Sequence, residues 1–460
     1  MTPPLEQDRP AAYGCGPSCT VSFRATRDDF LAGRDTPVAY LERFVEQIER
    51  QDANLQAFVT LALDDARQAA EASQARYGAG APLSPVDGLP IGLKDIIQTA
   101  GLPTQSGSPI FRDWQAEQDS AVAAALQRGG AVLVGKTATT EFAYGAITPT
   151  RNPYDPARTP GTSSSGSAAA VGAGMLPVAL GTQLMSSIMR PASYCGHVGV
   201  KPTYGAIRQD GIHPFSPSGE HVGAHAHALA DAWLTLRYLA REAGPVPGSY
   251  GLTGPEDTPA PQKPKRLLRM YTPGWELADA GVRDAFEGAL DALSAAGIEI
   301  IEPSTNSGLQ TIEDDFAQTG WCIAEIAAFE MRWPFFEYEK AGGTFHARIS
   351  SLLERAHQIT LEDYHAALDW KDTYRNRYRA LAGQIDGVIG LTAPEVAPVG
   401  LENIGNPVMC SPASCSGAPA ITIPALKVGG LPLGLQLMGF HNRDAELFAH
   451  AAWVDDALAN

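Results

Sequence analysis

The segment "TPGTSSSGSAAAVGAGMLPVALGTQ", residues 159–183, contains no charged side chain and is built largely of Gly, Ser and Ala. Such small residues predict a tight turn passing into a closely packed helix, after which "LPVALG" reads as a buried strand. Working outward, "GLPIGL" (88–93) and "AVLVG" (131–135) are further apolar strands, separated by the Ala-rich helical stretch "DSAVAAALQRGG" (119–130). Apolar strands alternating with helices predict an α/β layer structure whose sheet is mostly internal.

Upstream, "TPVAYLERFVEQIERQDANLQAFVTL" begins with a Thr cap and Pro at the first helical position, predicting a helix and then a short strand. Downstream, Pro and charge accumulate over 250–267, ahead of a strand at "RLLRMY" and a helix near "GVRDAFEGALDALSAAG". Residues 307–382 read as helices rich in aromatics such as Trp321, Trp333 and Tyr364. Aromatics at that spacing serve a core; the functional alternative is a helical layer over a substrate pocket. "DGVIGL", "APAITIPAL" and "LPLGLQLMG" complete the strands before a last helix from Asp444. The domain expectation is an arm over 1–20 followed by one domain over 21–460, with about 307–382 covering the pocket.

Composition narrows the function. The 460 residues are 44% hydrophobic and 18% charged, with a formal charge of −17. That describes a globular chain whose acidity opposes nucleic-acid binding. No signal-like or membrane-length apolar run is present, so the expectation is a cytoplasmic protein with no membrane partner. Cys15 and Cys19 lack the second pair or neighbouring His that zinc spacing requires, and reduced thiols are expected.

Two apparent motifs fail on physical grounds. "GAVLVGKT" (130–137) satisfies the phosphate-loop pattern with Lys136. Its middle residues read as a buried strand, however, whose amides the sheet would use. In "EHVGAHAH", His221 and His225 could share a helix face, yet Gly223 lies between them and no carboxylate or Cys cluster completes a metal site.

What remains is a pair of serine-rich turns, "PGTSSSGS" (160–167) and "GTQLMSSIMRP" (181–191), and Lys94 at the end of the apolar strand in "GLPIGLKD". One helix and one strand can return both turns to the same end of the sheet, where α/β proteins place their sites. Lys94 could simply extend its ammonium off the strand end. These blocks, together with "RPASYCGHVGVKPTYG" (190–205) and weaker similarity at "GAPAITIPALKVGGLPLGLQLMG" (417–439), closely resemble the amidase signature family, in its bacterial branch with Gln before the nucleophile turn. The resemblance implies a large mixed β-sheet sandwiched between helical layers. It also implies that Ser187 is the nucleophile, Ser163 the bridging serine after a cis peptide, and Lys94 the base. By the same resemblance the backbone N–H groups of Leu184, Met185, Ser186 and Ser187 form the oxyanion hole, with Ser164 and Gln183 in support.

The chemistry is coherent without that resemblance. A serine hydroxyl attacks only when a base takes its proton, and a lysine can do so if burial lowers its pKa from ~10.4 towards neutrality. No cofactor or metal is expected, and the partners are water and a small amide or carbamate. A homodimer is left open. Met185-Ser186 stands where the family has glycine, and Thr162 likewise, which puts efficiency in question because glycine permits positive φ. The expected function is an acyl-enzyme hydrolase of small or aryl amides, with urethane-cleaving relatives widening the leaving group. One alternative is the glutaminase-type component of an amidotransferase, and another is a non-catalytic protein on the same scaffold. The pocket is expected from "TTEFAYGAIT" (139–148), the helices at 310–370 and "LENIGNPVMCSPASCSG" (401–417).

Overall fold

In the computed structural model, residues 22–459 are described, so the N-terminal arm with Cys15 and Cys19 lies outside the described residues. The strands are β1 (Phe58–Leu61), β2 (Pro90–Lys94), β3 (Val132–Thr137), β4 (Val178–Gln183), β5 (Val198–Lys201), β6 (His221–Ala226), β7 (Arg266–Arg269), β8 (Glu299–Ile301), β9 (Gly387–Leu391), β10 (Ala420–Val428) and β11 (Leu431–Met438). They form one mixed sheet in the order β1-β3-β2-β4-β6-β5-β10-β11-β9-β7-β8. β2 runs parallel to both β3 and β4, whereas β6 is antiparallel to β4 and β5. β2, β4, β5, β6 and β9 are buried throughout, as strands covered on both faces must be.

Helices cover the sheet. Leu229–Glu242, Ala280–Ala295 and Asp444–Ala459 pack around β6 and β10, with Trp233, Phe286 and Phe448 in their shared core. Ser165–Gly172 packs on β2, β3 and β4, and shares a core with Pro37–Leu55 and Leu63–Gly78. The Pro37 helix starts as its sequence dictates: the Thr36 hydroxyl accepts from the Ala39 N–H, and Pro occupies the first turn. Residues 307–379 fold into five helices around an aromatic core that includes Phe316, Phe335, Tyr374 and Tyr378.

The Ser165–Gly172 helix explains the small residues of the opening segment. Every one of its eight residues is buried. A Cβ on Gly166 would stand 2.2 Å from both the Ala138 N and the Ala57 carbonyl oxygen, so only glycine lets the helix approach that closely. Gly161, at φ +86°, passes Pro191 with similarly little room.

The "GAVLVGKT" segment is β3, as its apolar run predicts. Its Lys136 bonds to the Thr104 hydroxyl at 2.6 Å and faces Asp95 at 3.4 Å. The histidines stand on β6, not on a helix. The run pairs between β4 and β5, so strand alternation places His221 and His225 on one side. His225 Nδ1 meets His197 Nε2 at 2.9 Å, and His221 Nδ1 lies 3.1 Å from the Gln183 carbonyl oxygen. No helix among the described residues is long and apolar enough to cross a membrane.

Candidate active site

Because β2 and β4 are parallel neighbours, their C-terminal ends reach the same edge of the sheet. Lys94 ends β2 and Thr182-Gln183 ends β4. The Ser-rich turn before Ser165 arrives over that edge, after a cis Thr162–Ser163 peptide. Lys94, fully buried, donates to the Ser163 hydroxyl at 2.6 Å and to the Thr182 hydroxyl at 2.9 Å. It has no carboxylate within ion-pairing distance among the described residues.

The electrostatics follow from that placement. Burial pushes the Lys94 ammonium down to about 7, with the Glu220 carboxylate acting in the opposite direction. Glu220 is itself buried and pushed up by desolvation, while Lys94 and a hydrogen bond from Thr182 hold it down. A lysine poised near neutrality against a serine hydroxyl can serve as a general base.

Gln183 organises the turn that follows. Its carboxamide oxygen accepts from the Ile188 and Met189 N–H groups at 2.9 and 3.0 Å, at the start of the Met189–Tyr194 helix. Its NH2 donates to the Ser414 hydroxyl at 2.9 Å, and Ser414 donates to the Met185 carbonyl at 2.7 Å. An aspartate could accept those bonds but could not donate to Ser414. With the Met185 carbonyl held on Ser414, the Ser186 N–H of the same trans peptide points the opposite way. Among the described residues, the N–H groups of Leu184, Met185, Ser186 and Ser187 donate no hydrogen bond. Neither Met185 nor Ser186 has a positive φ, and nor does Thr162, so these turns do not use the freedom that glycine would supply.

Ser187 lies half-buried on the wall of a cavity of about 600 Å³, and its hydroxyl takes no hydrogen bond among the described residues. Thr162, Tyr144, Arg190, Arg348 and Ile404 share that wall. The three segments expected from sequence therefore all contribute. Ser164 sits one step aside, donating to the Thr182 carbonyl at 3.3 Å and not to Lys94 or Ser163.

Sequence reasoning missed Thr182, Glu220 and the two arginines. Arg190 is 2% exposed, donates one N–H to the Gly405 carbonyl at 2.7 Å, and leaves Nε without a partner among the described residues. Exposed Arg348 adds positive charge beside it. No Asp or Glu lines the cavity among the described residues, and Glu395, which acts on Arg190, is bonded to Tyr194 and the Asn406 N–H.

Comparison with known proteins agrees with this architecture. A family model described as Amidase matches residues 39–448. A glutamyl-tRNA(Gln) amidotransferase subunit of Anaeromyxobacter sp. (strain K) is 38% identical over 296 residues, 62% of this chain and 60% of that protein. The chain thus spans about 60% of the length of that relative. The corresponding subunit of Chloroflexus aurantiacus (strain ATCC 29366 / DSM 635 / J-10-fl) is 33% identical over 457 residues, 91% of this chain and 93% of that protein. A crystal structure of an amidase superposes with a TM-score of 0.82 at 27% identity, covering 95% of this chain and 99% of the other. A mixed sheet between helices, a family match over nearly the whole length and this structural likeness lead to one conclusion: the chain belongs to the amidase family.

Proposed function

We propose that the protein is a serine amidase that cleaves a small amide, or the related carbamate, through an acyl-enzyme on Ser187. The carrying observation is the 2.6 Å contact of fully buried Lys94 with Ser163, beside a cavity onto which Ser187 opens. Neutral Lys94 accepts a proton from Ser163 as Ser163 accepts one from Ser187, and Ser187 attacks the carbonyl carbon. The oxyanion meets the free N–H groups of residues 184–187, where one donor can contribute ~3 kcal/mol. The leaving amine recovers the proton along the same route, and water then hydrolyses the ester.

A second reading, glutaminase within an amidotransferase, has its own support. Both curated relatives described above are named as amidotransferase components, and the Arg190–Arg348 pair suits a substrate carrying a carboxylate. Labelling with a fluorophosphonate tests the shared chemistry: one adduct on Ser187 is expected by mass, lost in Ser187→Ala. An unlabelled wild type that turns over no aryl anilide, nitrophenyl carbamate, primary amide or glutamine overturns both readings. Turnover of glutamine alone selects the second.

A further inference from the structure

Two spaces meet at a pair of aromatic rings. Tyr144 lines the Ser187 cavity, and its ring stacks face to face on Phe215, with centroids 4.8 Å apart and planes 19° from parallel. Phe215 lines a separate groove of about 1090 Å³, together with residues such as Pro217, Trp333 and Tyr364. The groove and the Ser187 cavity, of about 600 Å³, share no lining residue. Beside the rings the division is also thin. A Cβ on Gly219 would stand 2.8 Å from Cδ1 of Leu184, a cavity-lining side chain, while Ser218 and Glu220 on either side of that glycine line the groove. We propose that the Tyr144–Phe215 stack sets substrate size, closing the Ser187 cavity against the groove so that only a short acyl group fits.

The inference rests on the serine-amidase reading and names its substrate class: amides of short-chain carboxylic acids. The chemistry of that reading decides which part of the substrate faces the wall. The leaving amine takes its proton from Ser163, so it lies towards the turn that carries Thr162 and Ser163. The acyl group is left the part of the cavity that Leu184 and Tyr144 bound.

The wall is held from both sides. Phe142 and Ala143, just before Tyr144, have φ of 48° and 61°. Left-handed backbone is costly for a residue as bulky as Phe and persists only where its neighbours hold it. Here the Phe142 N–H donates to the Ser106 carbonyl and the Ala143 N–H to the Thr140 carbonyl, both at 2.8 Å. These two residues turn Tyr144 to the cavity, where its hydroxyl makes no hydrogen bond among the described residues. Phe215, 3% exposed, is fixed by an edge contact with Phe335 at 5.3 Å. Strain of this kind collects where a side chain must be kept in one place.

Steady-state hydrolysis of the 4-nitrophenyl esters of acetate, butyrate and octanoate varies the acyl length at a constant leaving group. Wild type should favour acetate over octanoate. Phe215→Ala joins the cavity to the groove and should raise kcat/KM for octanoate relative to acetate by about tenfold or more, with a smaller rise in Phe215→Leu, which removes less of the wall. A variant that merely packs less well loses both rates together and leaves the ratio where it was. If thermal melting shows that Phe215→Ala does not fold, Tyr144→Ala opens the same wall from the cavity side, with the same shift expected. An unchanged ratio in a folded variant overturns the proposal, as does a wild type that takes octanoate as readily as acetate. A gain confined to bulkier leaving groups, read with naphthyl against phenyl acetate, overturns it too. Ester hydrolysis that persists in Ser187→Ala, or none in the wild type, overturns the serine reading instead.

Discussion

Two lysines stand on adjacent strands of the same sheet, both fully buried, and the molecule treats them oppositely. Lys136 on β3 faces Asp95 at 3.4 Å and bonds to Thr104. Lys94 on β2 touches two hydroxyls, and Glu220, the carboxylate that acts on it, forms no ion pair with it among the described residues. Burial pushes both ammonium groups down, Lys136 to about 8 and Lys94 to about 7. In the mechanism proposed above, removing a carboxylate from direct contact and putting a serine in its place lets a buried lysine serve as a base and not as a structural cation. Proximity of the counter-charge decides which role a buried lysine takes.

Exchanging each lysine should separate the roles. Lys94→Ala is expected to lower the rate of Ser187 acylation by about 10²–10⁴-fold, with partial recovery at high pH as hydroxide replaces the base, and to leave thermal melting close to wild type. Lys136→Met should do the reverse. It strands Asp95 in the interior, at a cost of about 3–5 kcal/mol in urea unfolding, while the folded fraction still labels at Ser187. An inactive but well-folded Lys136→Met would erase the contrast.

The pH dependence sharpens it. In the proposed mechanism acylation requires neutral Lys94, whose ammonium burial pushes down to about 7. Labelling should therefore fall by about tenfold per pH unit below that value and level off above it. A limb displaced to the ordinary lysine range would mean that burial does not tune Lys94. A smaller effect is expected from Gln183→Asp, which keeps the acceptor for Ile188 and Met189 but loses the donor to Ser414. With Ser414, which holds the Met185 carbonyl, no longer anchored by residue 183, labelling should slow by about five- to tenfold with little change in binding, a loss of about 1 kcal/mol, as for one hydrogen bond.

The sheet was readable because buried strands announce themselves as apolar runs, and β2, β3, β4, β9, β10 and β11 all fall on such runs. The meeting of Lys94 with Ser163 was also anticipated, through the resemblance. The histidines of β6 were harder to place. At "HVGAHA" both helical and alternating spacing fit, and only pairing between β4 and β5 decides. Thr182 and Glu220 left a weaker trace. Glu220 comes near Lys94 because antiparallel β4 and β6 set Gln183 opposite His221, which brings residue 220 beside the end of β4. A register of that kind is a tertiary property, although a lone carboxylate entering the apolar run "EHVGAHA" was a signal. Arg190 belongs to the same class, since the carbonyl it bonds lies more than two hundred residues along the chain.

The glycine at 166 sets a boundary for change. With two backbone groups 2.2 Å from where a side chain would begin, the helix behind the serine turn admits no enlargement and acts as a fixed datum. Other parts of the cavity wall come from Ala347, Arg348 and Ser351 on one helix and from Ile404 and Pro407 on a loop. New substrate preference is therefore to be sought there by mutation, because those segments can vary in size and charge while the reference frame for Lys94 and Ser163 stays still.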